Sequence, residues 1–396
     1  MQNDLINNLK IPDCKFYSGY KPCFPGYDCL KDGCKMELSG DTSHRMGKKI
    51  LIISLDALGN VLLNTSVLHA LKRKYPVSTV HWLTMKNAAP ILSNNDFIDK
   101  IFVWDDDDKL ILSGMKYDVL LNGDKSFYAC AFAGKVKADE KFGFVLNDNG
   151  KIIPVNDAAM YNYNMGIDDE LKFRKNLKSG SQIIHETFEL EYRKDEYVFS
   201  FSAEEKDFIE KYKEQIKYDR SYLYVGFNTG CSNLFPNKKM TVEQHVKLIN
   251  DLAQTSEFKI LLLGGKEDTE RNLKIHESLD KDIQNKVIYT PTNLGLRNGA
   301  CFMDVCDVVI TGDSFGMHLA IALKKYVIAW FGLSCWNEIE LYNCGEKLIP
   351  TGLECAPCWN KVCPNNLECI DMIDLDRIAS IVRKYALVKP LFTNKN

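Results

Sequence analysis

From residue 48 onward the chain repeats one pattern: a short unbroken apolar run, a turn, then a stretch with helical spacing. The first run is "KKILIISLD", 48–56, and its continuous apolar core suits a strand buried on both faces of a parallel sheet. "ALGN" turns the chain, and "VLLNTSVLHALKRKYP" keeps helical spacing up to Pro76. "STVHWLTM", "KIFVWDDDD" and "YDVLLNGD" read as further strands, with "AAPILSNN" as a short helix among them. The "WDDDDK" run, 104–109, reads as a solvated turn after an edge strand. Residues 151–200 are polar and carry no clear period, and "AEEKDFIEKYKEQIK", 203–217, reads as a charged helix linking two halves.

The rhythm then restarts. "YLYVGFNTG", "FKILLLGG", "KVIYT", "DVVITGD" and "YVIAWFG" read as strands. Between them "TVEQHVKLINDLAQ", "KEDTERNLKIHESL", "GLRNGACFMDVC" and "GMHLAIAL" read as helices, and "DLDRIASIVRKYAL" closes the pattern as a helix. Strands alternating with helices predict parallel sheets built from βαβ units. The pattern therefore predicts two α/β sheets in tandem, splitting near residue 200. Residues 1–47 hold no sustained period and read as an irregular N-terminal element.

Composition narrows the function classes. The 50 basic and 53 acidic residues leave a net charge of −3, which gives no reason to expect nucleic-acid binding. The start of the chain lacks a charged n-region followed by an apolar run, so no secretory signal is read there. No stretch reaches the ~20 apolar residues of a spanning helix. The expectation is a cytoplasmic protein, with peripheral contact at the inner face of the membrane left open.

Ligands of open parallel sheets bind beyond the carboxyl ends of the strands, so candidate chemistry is sought in those loops. "LDALGN", 55–60, offers Asp56 and Asn60, with Gly59 permitting a tight turn; an N-capped turn explains the same residues. "NTGCSNLFPNKKM", 228–240, holds Thr229 and a Lys pair, Lys238 and Lys239, before a helix. Cations are disfavoured at a helix start, which hints at an anion they neutralise. "LLLGGKEDTE", 261–270, sets Glu267 in a first helical turn, either as a dipole partner or as an acceptor for nucleoside hydroxyls. "ITGDSFGMHLAIAL", 310–323, runs from a strand through Asp313 and Ser314 into a helix whose free N–H groups suit an anion, with His318 one turn in. A lone helical His is by itself more often a core or surface residue. Taken together, the last three loops describe a site for a nucleotide diphosphate.

These segments resemble glycosyltransferase family nine, the ADP-heptose-dependent heptosyltransferases of bacterial surface polysaccharide assembly. The resemblance runs from about 48 to 371 and is most specific in "VVITGDSFGMHLAIALKKYVIAWFGLS". It implies a GT-B architecture, two Rossmann-like domains with parallel sheets facing a central crevice. The divisions implied are a Cys-rich segment 1–47, an acceptor domain 48–200, a nucleotide-sugar domain 201–350, a Cys finger 351–371, and a helix and tail 372–396. It also implies inverting transfer of a heptose or related sugar from an ADP-sugar to a glycan, lipid-linked or protein acceptor. Lys238 would neutralise the diphosphate, Glu267 would hold the ribose, Asp313 and Ser314 backed by Gly316 would meet donor sugar and phosphate, and His318 would contact the diphosphate. Thr229 belongs to the same donor set. There are two departures. The family's proposed base, an Asp, is here Asn60, an amide that cannot take a proton at neutral pH. Asp56 on the same loop is the substitute, or else the chain is a catalytically weakened nucleotide-sugar-binding or scaffold protein of the same fold. Phe315 stands where the family more often has Gly.

Fourteen cysteines are many for a reducing compartment, where clusters point to metal more than to disulfides. "CAPCWNKVCPNNLEC" supplies Cys355, Cys358, Cys363 and Cys369, enough for a tetrahedral site of zinc or iron. Some protein heptosyltransferases resemble this segment and carry iron in a similar Cys finger. Cys14, Cys23, Cys29 and Cys34 form a looser second set. Both are expected to be structural, although a metal-linked redox protein fits the same cysteines. Most of the other six, Cys130, Cys231, Cys301, Cys306, Cys335 and Cys344, are expected to be small buried apolar residues.

Overall fold

In a computed structural model the described residues are 9–388, apart from Asp56, 232–234 and Ser256. They form two six-stranded sheets. The first contains β1 (Lys48–Ile53), β2 (Ser78–Thr84), β3 (Lys100–Val103), β4 (Lys116–Asn122), β5 (Lys137–Leu146) and β6 (Ile152–Pro154), in the order β3-β2-β1-β4-β5-β6. The second contains β7 (Leu223–Asn228), β8 (Phe258–Leu263), β9 (Val287–Tyr289), β10 (Val308–Gly312), β11 (Tyr326–Trp330) and β12 (Gly345–Leu348), in the order β12-β11-β10-β7-β8-β9. Read from its own first strand, each sheet has the doubly wound order 3-2-1-4-5-6. All pairings are parallel except β5 with β6. The apolar runs are buried as their lack of alternation requires: Ile50–Ile53 and Val308–Ile310 are at most 1% exposed.

Helices used below are α1 (Leu58–Asn64), α2 (Ala203–Gln215), α3 (Val242–Ala253), α4 (Thr269–Glu277), α5 (Gly295–Asp304), α6 (Phe315–Ala322) and α7 (Leu375–Val388). The α2 stretch begins with a capping box, Ser202 bonding the Glu205 amide and Glu205 answering to the Ser202 amide. It joins the halves as expected. Arg297 on α5 ion-pairs with Glu205 and also donates to the Ser200 carbonyl at 2.6 Å and the Pro90 carbonyl at 3.2 Å. One apolar cluster runs from the first sheet through α1 to α5, α6 and one face of the second sheet, so the halves share a core at the base of the crevice. The final helix, α7, packs on α3 over the other face of the second sheet.

The acidic run departs from expectation. Residues Asp106–Gly114 form a helix rather than a solvated turn. Asp105 caps it by accepting from the Asp108 amide at 2.9 Å, and Asp108 reaches back to the Val103 amide at 2.6 Å. Carboxylates in a first turn suit the helix dipole, so the charges extend order instead of ending it. No helix among the described residues is long and apolar enough to cross a membrane.

Candidate active site between the two sheets

The carboxyl ends of β1, β4, β7, β8, β10 and β11 converge on one crevice of about 1600 Å³. Asn60, Lys238, Glu267, Asp313, Ser314, Gly316 and His318 all line it. Asp56 lies outside the described residues. Its neighbour Ala57 has φ 51°, a left-handed conformation that costs a non-glycine residue about 1–3 kcal/mol and is retained most often at functional turns.

On the second sheet the loops are wired to one another. Lys238 ends a short turn, Pro236–Lys238, and its ammonium meets the Asp313 carboxylate at 2.6 Å. Both side chains are nearly buried. Burial raises the Asp313 carboxyl, but Lys238 and His318 outweigh it and hold the group below the usual carboxylate range. The Ser314 side chain stands at the N-cap of α6 without capping it; the Met317 and His318 amides bond the Ser314 carbonyl, and the Phe315 and Gly316 amides remain available to an anion. The Ser314 hydroxyl accepts instead from the Asn228 amide at 3.0 Å, and the same amide reaches Thr311 at 2.9 Å. Gly316 is required by this arrangement, because a Cβ there would sit 2.5 Å from the Asn228 side chain.

Thr229 is buried, and its hydroxyl bonds Asn272 and the Leu263 carbonyl. Glu267 is exposed on the rim, in the turn before α4, while its neighbour Asp268 is buried, accepts from the Gly265 amide at 3.0 Å and faces Lys239 at 3.9 Å. His318 is 7% exposed, stacks on Tyr197, and has Nδ1 3.4 Å from the Tyr197 hydroxyl. Burial lowers its pKa to about 4, so the ring is neutral near pH 7 and meets an anion as a hydrogen-bond donor rather than a cation. It also touches the first half. Gly59 lies within α1 rather than in a tight turn, and a Cβ on it would fall 2.5 Å from His318 Cδ2.

Three crevice residues escaped the sequence reading. Asn228 lies one position before the Thr229 selected there. Lys125 follows β4 in "NGDK", a strand-end glycine turn of the kind sought elsewhere; it donates to the Asn162 carbonyl at 2.6 Å, and burial lowers it to about 8. Glu338 ends a short turn, Trp336–Glu338, six residues past the strand-end Gly332 and outside the segments quoted above.

The C-terminal thiols surround one small cavity of about 20 Å³ behind Leu333 and Asn237. Cys363 Sγ accepts from the Asn365 and Leu367 amides, both at 3.4 Å. This segment is not remote from the crevice. Trp359 lines it and lies over the Lys238 ammonium at 4.6 Å, and Asn237 donates to the Asn360 carbonyl at 2.9 Å. Arg174 from the first half donates to the Ala356 carbonyl at 2.8 Å. In the N-terminal set Cys14 is buried and Cys23 exposed. As the side chains stand, no group of three or more His, Cys, Asp or Glu among the described residues is placed to hold a metal ion, so neither cluster is a formed metal centre here. Of the scattered six, Cys130, Cys301, Cys306 and Cys335 are buried, as expected, and Cys231 and Cys344 are partly exposed.

A family model, "Glycosyltransferase family 9 (heptosyltransferase)", matches residues 111–368. The chain is 26% identical over 324 residues to lipopolysaccharide heptosyltransferase 1 of Campylobacter coli, covering 77% of this chain and 90% of that one. Its fold is similar to a family 9 glycosyltransferase of Veillonella parvula, with TM-score 0.68 and 17% identity over 86% of this chain and 97% of that one. It is likewise similar to the E. coli ADP-heptose LPS heptosyltransferase II, with TM-score 0.61 and 17% identity over 86% and 98%.

Proposed function

As the chain belongs to glycosyltransferase family 9, the heptosyltransferase family, we propose that it transfers a heptose or closely related sugar from an ADP-sugar, with inversion, to a glycan or lipid-linked acceptor of the bacterial surface. The observation that carries this reading is the Lys238–Asp313 pair beside the uncapped start of α6. A cation, the free Phe315 and Gly316 amides and a neutral His318 converge where a diphosphate leaving group would develop charge, and such preorganised donors stabilise departing anions. Glu267, exposed on the rim, is suited to accept from ribose hydroxyls. The acceptor enters from the first sheet, past Asn60 and Lys125. Its hydroxyl attacks the anomeric carbon from the face opposite the diphosphate, and ADP leaves.

The names of two relatives support the donor and the setting, since one is a lipopolysaccharide heptosyltransferase and the other an ADP-heptose enzyme. Work on a lipid-linked acceptor would take place at the cytoplasmic face of the membrane. The reading also includes zinc or iron at Cys355, Cys358, Cys363 and Cys369. Four thiols around one cavity, one of them already taking two amide hydrogen bonds, fit a thiolate-ligated ion that would brace the loop carrying Trp359. Calorimetry with ADP, UDP and GDP tests the donor, and ADP release from ADP-heptose tests the reaction. ADP binding no tighter than UDP, together with no turnover of ADP-heptose, would end this reading. Metal analysis of the same preparation tests the ion.

A further inference from the structure

An inverting transfer needs a sink for the acceptor proton, and Asn60 cannot be one. Five carboxylates among the described residues line the crevice: Asp124, Glu267, Asp268, Asp313 and Glu338. Four are committed or misplaced. Asp313 is paired with Lys238, and Asp268 serves the Gly265 amide and faces Lys239. Asp124 accepts from the Leu55 and Ser126 amides at 2.9 and 2.8 Å, and Glu267 is out on the rim. Glu338 differs: its Oε1 is buried without a hydrogen-bond partner, as Asp268 Oδ1 also is, but among the described residues no cation pairs with it, whereas Lys239 faces Asp268 Oδ1 at 3.9 Å. The Cys335 thiol bonds the carboxylate, and a bound hydroxyl would complete the oxygen left without a donor.

The turn that carries Glu338 is anchored on both sides. Asn337 donates to the Asn176 carbonyl at 2.9 Å, and Lys347 donates to the Trp336 carbonyl at 2.7 Å. The charged and titratable groups facing the carboxylate are Lys172 and Lys125 from the first half, and Cys335 and Asp313 from the second. Glu338 therefore looks from the donor wall toward the side by which the acceptor enters.

We propose that Glu338 is the general base of the transfer. This rests on the glycosyl-transfer reading above. The acceptor oxygen forms its bond to the anomeric carbon while the bond from that carbon to the diphosphate oxygen breaks, its electron pair leaving with ADP. The hydroxyl proton passes to Glu338 and then to solvent. Burial holds the Glu338 carboxyl above its ordinary range, which suits a proton acceptor working near neutrality.

The test uses the full chain with ADP-heptose and water as the acceptor, following ADP release from pH 5 to 9. In Glu338→Gln the turnover number falls about 10²–10⁴-fold, the usual share of a general base, while ADP affinity and melting temperature stay at wild-type values. The acid limb of the pH profile disappears with it, and Glu338→Asp restores part of both rate and limb. The proposal is overturned if Glu338→Gln keeps the limb and turns over within about threefold of wild type, or if Asp56→Asn alone removes the limb. ADP affinity and wild-type turnover report on the donor reading; the variant-to-wild-type ratio and the limb report on the base.

Discussion

The two walls of the crevice are built on the same strand order and finished in opposite ways. On the second-sheet wall the polar groups answer one another: Lys238 with Asp313, Asn228 with Ser314 and Thr311, Thr229 with Asn272. On the first-sheet wall the loop after β1 is a strained Ala57 followed by an amide, and the cation Lys125 is tied to a backbone carbonyl. A wall wired in advance holds a ligand of fixed charge without reorganising. The first-sheet wall ties its polar groups to its own backbone, Asp124 to the Leu55 and Ser126 amides and Lys125 to the Asn162 carbonyl.

Removing the central pair should break the contrast most. Lys238→Ala leaves Asp313 nearly buried without its cation, and ADP affinity should fall about 100-fold, the ~2–3 kcal/mol of a charge-assisted contact. Calorimetry reads this directly, and an affinity equal to wild type would show that the pair does not serve the diphosphate. Next in size is the contact between the walls. Gly59→Ala drives a methyl against His318 and should destabilise by about 1–3 kcal/mol, seen as a lower melting temperature without loss of secondary structure.

Acid should act on both halves in the same direction. Burial holds His81, His245 and His318 at about 4, 3 and 4, against 6.5 when unfolded. The unfolded chain takes up these protons first. Stability from these three groups is therefore complete above pH 6.5 and is lost as pH falls toward 4. Melting curves from pH 7.5 to 4.5 should show this decline, with a shallower slope in His318→Gln. The smallest effect is expected from Asn60→Asp. If the base is already supplied by another residue, restoring a carboxylate at 60 should change ADP release by less than about threefold. A rise well beyond that would assign the missing chemistry to Asn60 itself.

The doubly wound halves were legible because buried parallel strands leave unbroken apolar runs, and α2 was legible from its charges and length. Asp313, Ser314 and Lys238 could be found because strand-end loops are where such sheets bind. Their pairing could not, since 75 positions separate Lys238 from Asp313 and only the fold brings them together. Glu338 had no local mark: it follows an apolar strand by a turn that resembles any other. The acidic run failed for a different reason, because the same aspartates serve a turn or a helix start and only the residues after them decide.

The Gly59–His318 contact also limits how this lineage could change. A side chain at 59 would press on the buried His318 ring, so any residue there carries a packing cost before it adds chemistry. New function on the first wall is acquired at less cost at neighbours such as 56 or 60, or borrowed from the opposite wall, and the crevice diversifies most readily around a pivot of one glycine and one imidazole.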